Sequence, residues 1–235
     1  MYQYILLIIA VILVSYIGLG ILAKYYLYYC FCRKISGSRK VYLTFDDGPD
    51  AAVTPKILDL LEGFGIRATF FLSGENILRH PELVKRIIES EHDIGGHGYN
   101  HIHPWRSGPV KTLRDIYQIR KVFRSLGERG RTALYRPPYG KLNLVQLLCW
   151  LWMGQRLVFW TLDPRDYRGR SGAQVGREVL DRLVPGSVVL LHDSRRGPDS
   201  DGRVTVEALR LILEEAQERE FSFATIGELY GEEGY

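Results

Sequence analysis

Cysteine is scarce in this sequence, and acidic residues are missing from its beginning. The 235 residues include three cysteines, at positions 30, 32 and 149, and no aspartate or glutamate precedes Asp46. The cysteine spacing matches neither a disulfide framework nor a cysteine-based metal site. No repeat with a period of tens of residues is visible, and 46% of the residues are hydrophobic. A disulfide-stapled mini-protein, a repeat array and a disordered chain are therefore excluded.

A large excess of charge is also missing from most of the chain. The formal net charge of +4 comes from 31 basic and 27 acidic residues, and three of the basic ones, Lys24, Arg33 and Lys34, precede residue 39. Residues 39–235 therefore carry 28 basic and 27 acidic side chains. Such a balance argues against a nucleic-acid partner bound through bulk charge.

The longest apolar run lies near the N-terminus. Residues 5–23 are uncharged over 19 positions, which nearly spans a hydrocarbon core of about 30 Å at about 1.5 Å per residue. Seven of the 15 tyrosines lie before residue 39, most of them flanking this run, as is typical of rings at membrane interfaces. The sequence predicts one transmembrane anchor with a juxtamembrane segment over residues 1–38, rather than a cleaved signal peptide, and one domain over residues 39–235.

Within residues 39–235, short β-branched or aromatic runs alternate with helical patterns. The predicted strands are 41–45, 68–72, 93–95, 134–136, 157–162, 187–191 and 221–225, and the predicted helices begin near residues 54, 81, 110, 142, 172 and 204. This alternation indicates a parallel α/β architecture, either a barrel or an open wound sheet. In both, ligands bind at the carboxyl ends of the strands. The apolar run 144–160 is interpreted as a helix and a buried strand separated by Gly154, rather than as a second membrane span.

Polar motifs follow the predicted strands. Asp46 and Asp47 end the first strand, where two adjacent carboxylates need a cation or hydrogen bonds, although Asp-Gly-Pro is also good turn chemistry. His97 and His101 have the His-x-x-x-His spacing that places two imidazoles on one side of a helical turn, and with one carboxylate they would form an open metal site of the catalytic kind. We expect His103 to lie outside that site.

Three further motifs come at later strand ends. Residues 136–140 read Arg-Pro-Pro-Tyr-Gly, and the prolines would leave the amides of Tyr139 and Gly140 as donors for an oxyanion. Residues 163–167 read Asp-Pro-Arg-Asp-Tyr, and His192-Asp193 follows an apolar strand. Each motif alone could be strand-end capping or surface charge, but five clusters at successive strand ends favour an active site.

The order of these motifs resembles that of the polysaccharide deacetylase family, the carbohydrate esterases that share a NodB-like domain. The resemblance covers nearly all of residues 39–235 and is carried by Thr-Phe-Asp-Asp-Gly-Pro, His-x-x-x-His, Arg-x-Pro-Tyr-Gly, Asp-x-x-Asp-aromatic and Leu-His-Asp. It implies a distorted (β/α) barrel of about seven parallel strands. It also implies a metal-dependent hydrolase that removes N-acetyl groups from N-acetylhexosamine units of a cell-envelope glycan, such as peptidoglycan, or of a chitin-like polymer.

The resemblance assigns a role to each motif residue. Asp47, His97 and His101 would bind a divalent metal, most often Zn²⁺, with Co²⁺ or Ni²⁺ as alternatives. Asp46 would be the general base, oriented by Arg136, and His192 would be the general acid, supported by Asp166. The amide of Tyr139 would bind the oxyanion. Tyr167 and Leu191 would form the pocket for the acetyl methyl group. Gly98 and Tyr167 depart from the family, which usually has Ser or Thr and tryptophan there, and leave the specificity open.

Two other functions stay open. The substrate could instead be a lipid-linked N-acyl sugar, with Arg195 and Arg196, or basic residues of the helix beginning near Val110, meeting a phosphate or an anionic lipid surface. A membrane-tethered sugar-binding protein without turnover is the alternative outside enzymes. The basic flank of the apolar run would place the domain in the cytoplasm, whereas the family resemblance implies an extracytoplasmic domain. We predict the extracytoplasmic location, with the apolar run as a single-pass anchor in contact with membrane lipid.

Overall fold

The computed structural model describes residues 2–127, 133–194 and 202–231. Its strands are β1 (Lys40–Asp46), β2 (Thr69–Leu72), β3 (Asp93–Gly96), β4 (Leu134–Tyr135), β5 (Arg156–Leu157), β6 (Val188–His192) and β7 (Ser222–Phe223). Its helices are α1 (Tyr2–Ile35), α2 (Thr54–Gly63), α3 (Gly74–Arg79), α4 (Pro81–Glu89), α5 (Pro109–Ser125), α6 (Leu144–Met153), α7 (Gly172–Arg182), α8 (Arg203–Glu218) and α9 (Ile226–Leu229).

The seven strands form one parallel sheet that curls on itself. The order is β5-β4-β3-β2-β1-β6, and β7 pairs with the first two residues of β1. After β5 leaves β4, the chain reaches Leu162, which forms a parallel bridge to Val189 of β6. The two ends of the strand order are thereby linked through residues 156–162, and the sheet becomes an incomplete barrel.

Strand alternation divides β1 between a core and a polar interior. Val41, Leu43 and Phe45 are fully buried in the larger hydrophobic cluster, which includes residues of α2, α7 and α8. Because successive side chains of a strand point to opposite faces, Thr44 and Asp46 project away from that cluster. The inner face of the sheet can therefore hold charged groups, while the outer face packs against the hydrophobic core.

The predicted sequence of strands is confirmed, with differences in length. The seven predicted strands are all present, but the predicted strand 157–162 is paired regularly only at Arg156–Leu157, because the chain then crosses from β4 to β6. The short helices α3 and α9 were not predicted. The interpretation of residues 144–160 is confirmed: α6 ends at Met153, and Gly154 adopts the left-handed conformation with a φ of 63° before β5 begins.

Helix α1 packs against the barrel domain along its second half. Phe31 and Ile35 are buried in the second hydrophobic cluster, and the Tyr16 hydroxyl donates a hydrogen bond of 3.1 Å to the carbonyl of Ser107. At Gly20, an added Cβ would lie 2.3 Å from the carbonyl oxygen of Leu142, so only glycine allows this approach of α1 to the start of α6. The sequence run alone did not reveal that this helix contacts the domain.

The prediction of an N-terminal transmembrane helix is wrong. Across residues 2–127, 133–194 and 202–231, no helix combines the length and the apolar composition needed to cross a bilayer. The same finding contradicts the predicted single-pass localisation, and with it the predicted lipid contact through this helix. The prediction was based on the hydropathy and length of the 19-residue run, whereas part of α1 packs against the domain. The boundary at residue 38 stays a prediction.

Candidate active site

The carboxyl ends of four neighbouring strands bring the predicted polar residues together. Asp46 is the last residue of β1 and His192 the last of β6, and His97 and Arg136 directly follow β3 and β4. All four side chains are at least nine-tenths buried. Parallel strands end on one edge of a sheet, which is why motifs up to 146 residues apart in the chain share one site.

A backbone turn at Asp47 lets two adjacent carboxylates reach the same place. Asp47 has a φ of 79°, which is uncommon for a residue other than glycine. Its carbonyl accepts a hydrogen bond of 2.8 Å from the Asn76 side-chain amide, which holds the turn. As a result, Asp46 Oδ2 and Asp47 Oδ1 lie 3.5 and 3.4 Å from His97 Nε2.

Asp47, His97 and His101 form a cluster that could hold a metal ion. Their ligand atoms lie within 4.8 Å of one another. Asp47 Oδ1 is 3.4 Å from His97 Nε2 and 3.3 Å from His101 Nε2. His97 Nδ1 lies 2.7 Å from the Arg136 carbonyl, to which it must donate, so a neutral ring turns the lone pair of Nε2 toward Asp47.

The loop that carries both histidines is held by Asp115 of α5. Its carboxylate oxygens accept hydrogen bonds of 3.0 and 2.8 Å from the amides of Tyr99 and Asn100. Burial raises the pKa of Asp115, and these two amide donors oppose the shift. Gly98 has a φ of 77°, and an added Cβ would lie 3.0 Å from Asp115 Oδ2. Asp115 therefore supplies hydrogen bonds to the loop, in which Gly98 replaces the hydroxyl-bearing residue that is usual in the family.

Arg136 is a fully buried guanidinium that pairs with Asp46. Its Nη1 lies 2.7 Å from Asp46 Oδ1 and donates to Thr44 Oγ1 at 2.8 Å, while its Nη2 donates to the carbonyl of Phe159 at 3.1 Å. The guanidinium carbon also lies 4.1 Å from the centroid of the Phe71 ring. Burial lowers the pKa of Arg136, and Asp46 opposes that shift. The pair fixes Asp46 with its other oxygen toward His97.

His192 and Asp166 form a second buried pair on the other side of the cluster. His192 Nδ1 lies 2.7 Å from Asp166 Oδ1, and Asp166 Oδ2 accepts bonds from the His192 amide and from Thr205 Oγ1. Burial acts to lower the pKa of His192, but Asp166, Asp47 and Asp46 together raise it to about 9. His192 Nε2 lies 3.7 Å from Asp47 Oδ2, so this ring nitrogen faces the cluster.

Asp193 is a buried carboxylate to which the sequence reasoning gave no role. It accepts hydrogen bonds of 2.9 Å from the Gly48 amide and from Thr54 Oγ1. Burial, together with the charge of Asp47, raises the pKa of Asp193 to about 7. An added Cβ at Gly48 would lie 2.0 Å from Asp193 Oδ2. Asp193 thus anchors the turn that carries Asp46 and Asp47. Its position next to His192 in the sequence is the feature that could have indicated this role.

The predicted substrate-contacting residues divide into two groups. Tyr139 and Tyr167 are partly exposed, and their rings lie 4.6 and 5.2 Å from those of His101 and His192. Leu191 does not reach the site: it is fully buried in the larger hydrophobic cluster, on the face of β6 opposite His192. Leu190 shares the face of His192 and is therefore the leucine of β6 that could border the site.

Three other expectations from the sequence can be compared with the described residues. The Gly140 amide donates to the Pro137 carbonyl at 2.9 Å, which leaves the Tyr139 amide as the candidate oxyanion donor. Among the described residues, the group that could hold a metal ion consists of Asp47, His97 and His101 and does not include His103. Arg195 and Arg196, and the end of the basic stretch that starts near Val110, lie outside the described residues.

A curled parallel α/β sheet with buried carboxylates and imidazoles at its carboxyl edge has the arrangement of an active site in a barrel enzyme. The sequence profile described as "Polysaccharide deacetylase" matches residues 33–147. A peptidoglycan-N-acetylglucosamine deacetylase of Bacillus cereus is 35% identical over 191 residues, which cover 80% of this chain and 87% of the relative. The chain belongs to the polysaccharide deacetylase family, so the predicted family and enzyme class are confirmed.

Two further matches describe the family around this chain. A chitooligosaccharide deacetylase of Bradyrhizobium is 32% identical over 203 residues, covering 83% of this chain and 93% of the relative. The crystal structure of the Bc1960 peptidoglycan N-acetylglucosamine deacetylase with a hydroxamate-type benzamide superimposes with a TM-score of 0.75. It is 34% identical, and the match covers 82% of this chain and 88% of that one. The relatives thus include two substrate classes.

Proposed function

We propose that this chain is a metal-dependent hydrolase that removes N-acetyl groups from N-acetylglucosamine units of peptidoglycan. The Asp47, His97 and His101 cluster, set between a buried base candidate and a buried acid candidate, is the observation that carries the proposal. Relatives named peptidoglycan deacetylases support the substrate class.

The donor set fits a divalent cation. Ligands of a tetrahedral ion at about 2.0–2.1 Å are separated by about 3.3–3.4 Å, and Asp47 Oδ1 lies 3.3 and 3.4 Å from the two Nε2 atoms. Two imidazoles and one carboxylate suit Zn²⁺ and also accept Co²⁺ or Ni²⁺. A bound divalent ion would polarise the amide carbonyl and lower the pKa of water near this cluster.

The chain's own residues divide the proton transfers. Asp46, oriented by Arg136, accepts the proton of the attacking water. His192, held by Asp166, donates a proton to the leaving amine nitrogen, which would otherwise depart as a poor anion. The Tyr139 amide donates to the oxyanion, and Leu190 with Tyr167 borders the acetyl methyl.

The test is acetate release from peptidoglycan glycan strands by the full chain, before and after treatment with a chelator. We expect stripping to lower the rate by about 10²-fold or more, because the Lewis acid is lost, and added Zn²⁺ to restore it. Acetate release that is insensitive to stripping contradicts metal dependence. A chain that binds glycan in calorimetry but yields no acetate is a sugar-binding protein.

A second prediction concerns the acid. Asp166→Asn removes the charge that most strongly raises the pKa of His192, which is about 9 in the intact site. Because the acid works in its protonated form, activity falls as the pH rises through that pKa. The variant should therefore shift the alkaline limb of the kcat profile to lower pH and reduce kcat by about 10²-fold.

The control for this variant is Asp181→Asn, which changes an exposed aspartate of α7. It should leave the alkaline limb where it is. An Asp166→Asn profile that falls uniformly at every pH, with no displacement of the limb, contradicts the role of Asp166 in setting the protonation of His192.

A further inference from the structure

A row of aromatic rings extends from the metal-binding cluster toward solvent. The Tyr139 ring lies 4.6 Å from the ring of His101 and 4.8 Å from that of His103, and the Trp105 ring follows 6.2 Å from His103. Tyr139 is 47% exposed. The indole nitrogen of Trp105 donates to the carbonyl of Leu142 at 3.0 Å, which fixes the ring. We call Tyr139, His103 and Trp105, with Lys141, the aromatic ledge.

Lys141 supplies a positive charge at the centre of the ledge. Its Nζ lies 4.4 Å from the centroid of Trp105 and 5.9 Å from that of Tyr139. The same Nζ lies 3.2 Å from His103 Nε2, so it donates one hydrogen bond there. An ammonium group has three donors, and the other two are available to a ligand that lies on the rings.

The surroundings of the ledge add positive charge, and no carboxylate among the described residues neutralises it. Burial and then the charge of Lys141 lower the pKa of Lys24, and the Arg106 amide donates to the carbonyl of His103 at 3.0 Å. Among the described residues, Lys24, Arg106 and Lys141 form no salt bridge within 4.0 Å. An anionic group placed here would offset several like charges at once.

We propose that the aromatic ledge binds the sugar next to the one that is deacetylated and that Lys141 pairs with an anionic oxygen group on that neighbour. The proposal rests on the proposed function and deepens it. Flat aromatic faces accept the apolar C–H face of a sugar ring, and an ammonium pairs with a carboxylate or phosphate. A neutral chitin-type chain has no group for Lys141, whereas an N-acetylmuramic acid that carries no stem peptide has a free lactyl carboxylate, and an activated sugar has a diphosphate.

The experiment compares four substrates with wild-type chain and Lys141→Gln. The substrates are a tetrasaccharide of alternating N-acetylglucosamine and N-acetylmuramic acid, its carboxyl methyl ester, chitotetraose, and UDP-N-acetylglucosamine as a diphosphate-linked sugar. The methyl ester keeps the same glycan chain but replaces the carboxylate with a neutral group that is one methyl larger. The readout is kcat/KM from acetate release, split into kcat and KM, together with glycan binding by calorimetry.

We expect Lys141→Gln to reduce the ratio of kcat/KM for the charged tetrasaccharide to that for its ester by about five- to tenfold, through KM. Lys85→Gln, which removes an exposed lysine on α4, should keep the wild-type ratio. Trp105→Leu should weaken binding of charged and neutral tetrasaccharides alike, because it removes a stacking face. A selective loss on UDP-N-acetylglucosamine instead supports the anion site and assigns it to phosphate.

An unchanged ratio for both anionic substrates in Lys141→Gln overturns the proposal, as does an equal loss on all four substrates. Failure of the proposed function looks different, because wild-type chain would then release no acetate from any glycan. In that case the calorimetric preference for the charged tetrasaccharide over its ester still tests the ledge.

Discussion

Asp46→Asn should lower the rate of acetate release by about 10³-fold while the chain keeps its bound metal. The substitution leaves an oxygen of nearly the same shape beside Arg136 but removes the basic carboxylate that faces His97. Because the proposed metal ligands are Asp47, His97 and His101, the ion should stay. The measurement pairs single-turnover acetate release with metal content per chain, determined by elemental analysis after dialysis.

The neighbouring substitution separates the two adjacent carboxylates. Asp47→Ala removes a ligand atom that lies 3.3–3.4 Å from both Nε2 atoms, so metal content and turnover should fall together. Asp59→Asn, on the exposed face of α2, is the matched control and should change neither quantity. Full activity in Asp46→Asn, or metal loss in that variant equal to the loss in Asp47→Ala, contradicts the division of roles.

The sequence located the site because its chemistry follows strand ends. Residues such as Asp46 and His192 stand where an apolar run stops, and parallel strands bring those positions to one edge. Leu191 shows the limit of this reasoning, since a shift of one residue along a strand changes the face. The motif marks Leu-His-Asp, but only the register of β6 with β1 shows that Leu190 shares the face of His192.

Residues that support the site from other elements of the fold carry no clear signal in the sequence. Asp115 lies on a helix, 14 residues after His101. Its sequence surroundings do not distinguish it from other polar residues of a helix. Only the folded loop shows that its two oxygens bind the amides of Tyr99 and Asn100. The same reason applies to α1, where hydropathy could not distinguish a helix meant for lipid from one that contacts the domain at Gly20 and Phe31.

Arg136→Met should destabilise the fold by about 3–5 kcal/mol, the second large effect that we predict. Arg136 is fully buried, and its partner Asp46 is only 2% exposed. A buried ion pair contributes little beyond an apolar pair of the same volume, because desolvation offsets the attraction, but removal of one partner strands the other charge. The free energy of unfolding, from urea titration followed by circular dichroism, measures this cost.

A double-mutant cycle shows whether the stranded charge causes the loss. In a chain that already carries Asp46→Asn, no charge is left to strand, so Arg136→Met should cost about 2 kcal/mol less than in the wild-type chain. Arg86→Met, which breaks an exposed pair with Asp59, should cost about 1 kcal/mol or less. Equal costs in the two backgrounds would mean that Arg136 stabilises the fold through Thr44, Phe159 and Phe71 instead. The ion pair would then orient Asp46 without adding to the stability of the fold.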